Sequence, residues 1–151
     1  MPAIDTYIPM DRRHALACGD TLPNRSQGAV LFADLSGFSL LAYTLARELG
    51  PQQGAEELTR HLNRVYGAVI AEIHRYGGSV ISFSGDAITC WFARAPTPVA
   101  NGRSALACAL HMQQGMAALE AVRTPQENAI ALALKVAVAV GSARRFLVGQ
   151  P

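Results

Sequence analysis

Two aspartates, Asp34 and Asp86, each end an apolar stretch beside a glycine. They stand in Val30-Leu31-Phe32-Ala33-Asp34-Leu35-Ser36-Gly37-Phe38-Ser39 and in Gly77-Gly78-Ser79-Val80-Ile81-Ser82-Phe83-Ser84-Gly85-Asp86-Ala87. An ionised carboxylate is seldom buried unpaired, so an apolar strand ending in Asp with no local cation needs a reason. Two such carboxylates facing each other would make a hard-oxygen site for magnesium and a phosphate ester. The segment from Ser36 to Ser39 opens a helix directly after Asp34. Its free N–H groups and helix dipole suit an anion such as a triphosphate, and Gly37 lets the backbone approach it.

Each feature also has a plainer reading. A strand-end Asp is commonly a turn former or cap, and Asp86 in Ser-Gly-Asp reads alone as a hairpin residue. Ser36 reads as a helix cap, Gly77-Gly78 as a helix stop and Arg144-Arg145 as a solvated turn. His14, His61, His74 and His111 have no ligand spacing. Lys135, inside an apolar run, must snorkel, pair with an acid or face an anion. A Gly-x-x-x-x-Gly-Lys run is absent, which excludes a P-loop.

The elements that would position these residues follow from periodicity. Residues 1–28 read as an arm punctuated by Pro2, Pro9, Pro23 and Asn24, with room for one short helix over 11–18. Ala29 to Ala33 suits a central strand. Phe38, Leu41, Ala42, Leu45 and Leu49 share a helical face, stopped by Gly50-Pro51. A second helix from about Gln52 carries Glu56 and Glu57 in its first turns and the stripe Leu58, Leu62, Val65, Val69 and Ile73. Strands at 79–83 and 87–93 form a hairpin through Ser84-Gly85-Asp86. An alanine-rich helix is expected over about 97–122. Residues 129–140 lack polar alternation. Their valines and the following Gly141-Ser142 favour one buried strand, with a return strand near 144–148. The order fits a βαββαβ plan with helices on one face of an antiparallel sheet, which can bring Asp34 and Asp86 to one edge.

The chain of 151 residues is long enough for one domain with a core. Half of it is apolar, which argues against disorder, and a formal charge of +2 is too small to argue for nucleic acid. The three cysteines have no metal spacing, and Cys90 and Cys108 read as core residues in a reducing compartment. The N-terminus does not read as a signal peptide, and the longest apolar run, 129–140, is too short for a bilayer. A cytoplasmic protein, off the membrane, is expected.

Phe32 to Ser39 followed by Phe83-Ser84-Gly85-Asp86-Ala87 resembles the catalytic domain of class III nucleotidyl cyclases, in particular the soluble, bicarbonate-type adenylyl cyclases and their bacterial relatives. The resemblance runs from about Ala29 to Pro151. Leu132 to Gly141 looks like that family's next core strand, and Phe146 to Gln150 also fits. The arm with Asp11-Arg12-Arg13 resembles the lead-in of bacterial members that carry cyclase domains ahead of an ATPase module. The implied fold is α+β, a ferredoxin-like βαββαβ sheet that is C-terminally incomplete, with an arm over 1–28 and a partial cyclase domain over 29–151.

The resemblance implies that Asp34 and Asp86 hold two Mg²⁺ or Mn²⁺ ions, with the backbone carbonyl of Leu35 as a further ligand. Gly37, Phe38 and Ser39 would contact the triphosphate, and Lys135 would neutralise phosphate charge. The reaction implied is attack of the ribose 3′-hydroxyl on the α-phosphorus of ATP, with GTP the alternative substrate, releasing pyrophosphate. Such sites form between two cyclase domains, so a homodimer or tandem partner is implied. Ser82 stands where the family often has a base-selecting Lys, and the partner domain can supply that contact. The family's next helix, bearing an Asn and an Arg, would lie beyond Pro151. The chain is therefore expected to be a piece of a longer signalling protein, or a truncated relative, inactive by itself. The rival readings are a catalytically inactive cyclase-like regulatory module and a diguanylate cyclase, whose Glu-Glu-Phe run is absent here.

Overall fold

The computed structural model describes residues 8–118 and 121–146. Its centre is β1 (Arg25–Ser36), a strand of 12 residues. Alternate residues Ala29, Leu31, Ala33 and Leu35 are buried, while Phe32 is exposed on the opposite face. This period of two gives the strand a core face and an open face. The strand starts four residues earlier than the apolar run alone indicated.

Two helices follow. α2 (Phe38–Leu49) buries Leu41 and Leu45. Gly50 separates it from α3 (Pro51–Arg75), where Pro51 takes the first helical position, as its missing N–H allows. Val65, Val69 and Ile73 of the α3 stripe are buried, with Leu62 packed beside them. Gly77 then ends the run at φ 76°. β2 (Ser79–Ser84) and β3 (Ala87–Phe92) form the expected hairpin around Gly85-Asp86. α4 (Pro98–Ala118) covers the same face of the sheet, and Ala105, Cys108 and Met112 enter its core. Burial pushes the thiols of Cys90 and Cys108 up to about 12, which suits inert core residues.

The last part of the chain departs from expectation. Residues 129–140 do not form one strand. β4 (Val122–Arg123) and β5 (Ala129–Ile130) make a separate small hairpin, and the chain leaves it at 131–132 before β6 (Ala133–Arg144). Gly141-Ser142 is no turn. β1 begins at Arg25, so β6 keeps a ladder partner: Gly141 pairs with Gly28 and Ser142 with Gln27. Arg144 closes β6, while Arg145 is held rather than solvated. Its N–H donates to Asn24 O and its guanidinium pairs with Asp11. The rest of the expected return strand, 147–148, lies outside the described residues, as do 147–150 of the segment that fits the family.

The main sheet is antiparallel, in the order β2-β3-β1-β6. Helices α3 and α4 cover one face. A short helix, α1 (Met10–Cys18), contacts β2 from the arm. Gly28 marks a tight approach: a Cβ there would stand 2.3 Å from Phe92 O and 2.7 Å from Trp91 Cζ2. Among the described residues no helix is long and apolar enough to cross a membrane.

Candidate active site

Directly opposed residues of an antiparallel ladder project to the same face. The open face can therefore be described in rows. One row runs Ser84, Ala87, Asp34, Lys135 across the four strands. The next runs Ser82, Thr89, Phe32, Ala137, and a third runs Ser79, Trp91, Val30, Ala139. The face is polar and charged at the Asp34 end and apolar toward Trp91. An apolar groove of about 700 Å³ lies at that second end, lined in part by Val30, Trp91 and Ala139.

Asp86 follows Gly85 in the β2–β3 turn and precedes Ala87, the residue opposite Asp34. The two aspartates are thus brought to one edge. Leu35 N–H donates to the backbone carbonyl of Asp86 at 3.2 Å, which ties the strand end to the turn. The Tyr66 hydroxyl on α3 donates to the same carbonyl at 2.8 Å. Burial raises the Tyr66 pKa, and the charges of Asp86 and Asp34 raise it further, so both carboxylates act on one hydroxyl. Tyr66 also meets Phe83 edge to face, with ring centroids 5.8 Å apart. Sequence reasoning missed Tyr66, which stands next to Val65 but outside the apolar stripe. No side-chain pattern marks it, because its hydrogen-bond partner is a backbone carbonyl twenty residues away.

Among the described residues neither aspartate is ion-paired, and no cluster of three or more His, Cys, Asp or Glu exists that could hold a metal by itself. The protein donors available to a cation here are two carboxylates and backbone carbonyls. That hard-oxygen set fits magnesium or manganese with its remaining positions filled by phosphate or water.

Gly37, Phe38 and Ser39 form the start of α2. Gly37 is the N-cap at φ 90°, and no side chain caps the helix, so Ser36 does not serve as the cap expected of it. Ser36 Oγ is instead buried without a hydrogen-bond partner among the described residues. Lys135 is exposed directly opposite Asp34, which resolves its place in the apolar run: it projects from the open face. Ser82 is exposed two residues beyond Val80, with a register irregularity between them, and shares its row with Thr89 and Phe32.

At its far end α2 is anchored. Glu48 accepts hydrogen bonds from Thr124 Oγ1 (2.8 Å), Asn128 Nδ2 (2.7 Å) and Gln126 N (3.1 Å). Ile130 of β5 joins Leu41 and Leu45 in a small second core. The β4–β5 hairpin thus braces the helix whose first residues lie beside Asp34.

This architecture is the fold of the class III nucleotidyl cyclase catalytic domain. A bacterial light-regulated adenylyl cyclase superposes with a TM-score of 0.71 at 19% identity, over 97% of this chain and 40% of that one. The adenylyl cyclase CyaB from P. aeruginosa gives a TM-score of 0.62 at 24% identity, over 78% and 57%. In sequence, the chain is 31% identical to adenylate cyclase type 10 of Rattus norvegicus over 75 residues, 46% of this chain. The matched region is only 5% of that protein's length. No family model matches the chain.

Proposed function

We propose that this domain supplies the metal-binding half of a class III cyclase site that converts ATP to cyclic AMP and pyrophosphate. The observation that carries the reading is the junction of Asp34 and Asp86, joined through the Leu35 N–H to Asp86 carbonyl bond and the Asp34–Ala87 register. The similarity to adenylate cyclase type 10 and the shared fold support it.

In this reading the carboxylates of Asp34 and Asp86, with the Leu35 carbonyl, would hold two Mg²⁺ or Mn²⁺ ions. Bound there, the ions would neutralise phosphate charge and lower the pKa of the attacking 3′-hydroxyl. The chain's own groups do the positioning. N–H groups at the start of α2, from Gly37 to Ser39, receive the triphosphate at the positive end of the helix dipole. Lys135 projects from the row of Asp34 and adds a point charge toward phosphate. Tyr66 fixes the Asp86 backbone, and with it the angle at which that carboxylate meets Asp34. A second cyclase domain, as homodimer or tandem partner, completes the site and contributes the base contact that Ser82 lacks. The domain works in the cytoplasm, where ATP and magnesium are available.

A complementation assay tests this. The chain is mixed with a second cyclase domain that keeps its base-reading lysine but has lost its own metal aspartates. Cyclic AMP should form in the mixture with Mn²⁺ and ATP, and vanish with Asp34→Ala. By itself the chain should bind ATP and GTP analogues within roughly tenfold, or ~1.4 kcal/mol, of each other, because Ser82 cannot replace an ammonium. No product from the mixture, with nucleotide still bound, would instead favour a regulatory module.

A further inference from the structure

Helix α2 begins with the groups assigned to the triphosphate, yet its two buried residues lie outside the main core. Leu41 and Leu45 form a separate cluster with Ile130, flanked by Val122 and Leu132. The segment 122–132, made of β4, β5 and the exit toward β6, therefore touches α2 at three points. At the last turn of the helix, Glu48 holds the bend between Thr124 and Asn128. In the middle, Ile130 packs with Leu41 and Leu45. At the start, a Cβ on Gly37 would stand 2.4 Å from Ala131 O and 3.4 Å from Leu132 Cδ2. These points span the 12 residues of α2, about 18 Å of helix.

The segment does not hold this shape unaided. β4 and β5 have two residues each, and a hairpin that short is not independently stable. Its turn places Glu127 at φ 62°, a left-handed conformation uncommon for a residue with a side chain. Within the turn, Thr124 N–H donates to Asn128 O at 3.0 Å and Asn128 N–H to Thr124 Oγ1 at 3.2 Å. Three further donors, from Thr124 Oγ1, Asn128 Nδ2 and Gln126 N, converge on the Glu48 carboxylate. Thr124 is 3% exposed, so its hydroxyl depends on that acceptor. One ionised carboxylate from α2 thus gathers the turn, and hydrogen bonds to an ionised acceptor are the stronger kind.

We propose that Glu48 is a positioning residue for the triphosphate. Its carboxylate shapes the 124–128 turn, the turn sets the course of 130–132, and that course seats Gly37 to Ser39 relative to Asp34. Glu48 itself stands at the opposite end of α2 and touches no phosphate. The ligand in this inference rests on the nucleotide reading, whereas the coupling of Glu48 to Gly37 rests on the geometry alone.

The test uses ¹⁵N-labelled protein with assigned amides, titrated with a non-hydrolysable ATP analogue and Mg²⁺. In the wild type the amides of Gly37, Phe38 and Ser39 should shift saturably. Glu48→Ala should displace the same peaks before any ligand is added and weaken analogue binding about tenfold, as misplaced binding groups do. Glu48→Gln should fall between the two. Its carbonyl oxygen can still accept from Thr124 and Asn128, but its amide nitrogen cannot accept from Gln126 N–H. Ile73→Val, which opens a small gap in the main core, controls for lost stability and should leave affinity unchanged. Amide dispersion reports whether each variant folds. Affinity in folded Glu48→Ala within twofold of wild type, or an equal loss in Ile73→Val, overturns the proposal. If the wild type binds no analogue, the nucleotide reading fails, and the ligand-free spectra decide the coupling. Displaced Gly37 to Ser39 peaks in Glu48→Ala then support it, and unmoved peaks overturn it.

Discussion

Replacing Asp34 or Asp86 by Ala is expected to abolish the stabilisation that Mn²⁺ with a non-hydrolysable ATP analogue gives the wild-type chain. A ligand that binds only the native state, at a hundred times its Kd, adds about 2.7 kcal/mol. For a domain of this size that is about 5–10 °C in Tm, at roughly 2–4 °C per kcal/mol. Both aspartates should be required, because either carboxylate alone leaves an exposed, weakly binding site. The variants themselves should fold. Asp34 and Asp86 lie outside the cluster formed by Leu31, Leu35, Val65 and Phe92, and neither is ion-paired among the described residues. Differential scanning fluorimetry with and without the ligand pair is sufficient. Equal ligand-induced shifts in wild type and both variants would remove the metal assignment.

Gly37→Val should be the most destabilising single change near the site. Two independent penalties meet there. Its φ of 90° is a conformation that a β-branched residue resists, at a cost of about 1–3 kcal/mol. A Cβ would also stand 2.4 Å from the carbonyl oxygen of Ala131, a backbone atom that cannot swing aside. Overpacking of that kind adds about 1–3 kcal/mol. The sum, about 2–6 kcal/mol, is a large share of the ~5–15 kcal/mol typical of a domain. Urea unfolding should show the midpoint falling steeply with little change in m. Gly37→Ala should fall between wild type and Val. A Val variant within 1 kcal/mol of wild type would mean that the turn between β1 and α2 is not as tight as described.

The central elements were legible because their signals are local. The α3 stripe has a clean helical period, and the Ser-Gly-Asp turn joins two short apolar runs. Asp34 and Asp86 stood out because strand-end carboxylates beside glycine are chemically conspicuous. What was missed depends on contacts between residues distant in the chain. The break at 131–132 arises where Ala131 meets Gly37 and where β5 pairs with β4, neither of which leaves a mark on the apolar run. Gly141-Ser142 has turn chemistry but sits in a ladder because β1 extends to Arg25. Tyr66 acts through a hydroxyl that reaches a backbone carbonyl twenty residues on, which no side-chain pattern encodes. The arm's attachment through Asp11 and Arg145 joins the two ends of the described chain.

The joint use of Asp34 and Asp86 as metal ligands is tested most directly by anomalous scattering. Crystals are grown with MnCl₂ and a non-hydrolysable ATP analogue, and data are collected near the manganese edge. At least one manganese peak should lie within bonding distance, about 2.1 Å, of oxygens from both carboxylates, with the analogue's phosphates beside the start of α2. Manganese bound by only one of the two aspartates, or nucleotide seated away from Gly37 to Ser39, would contradict the account.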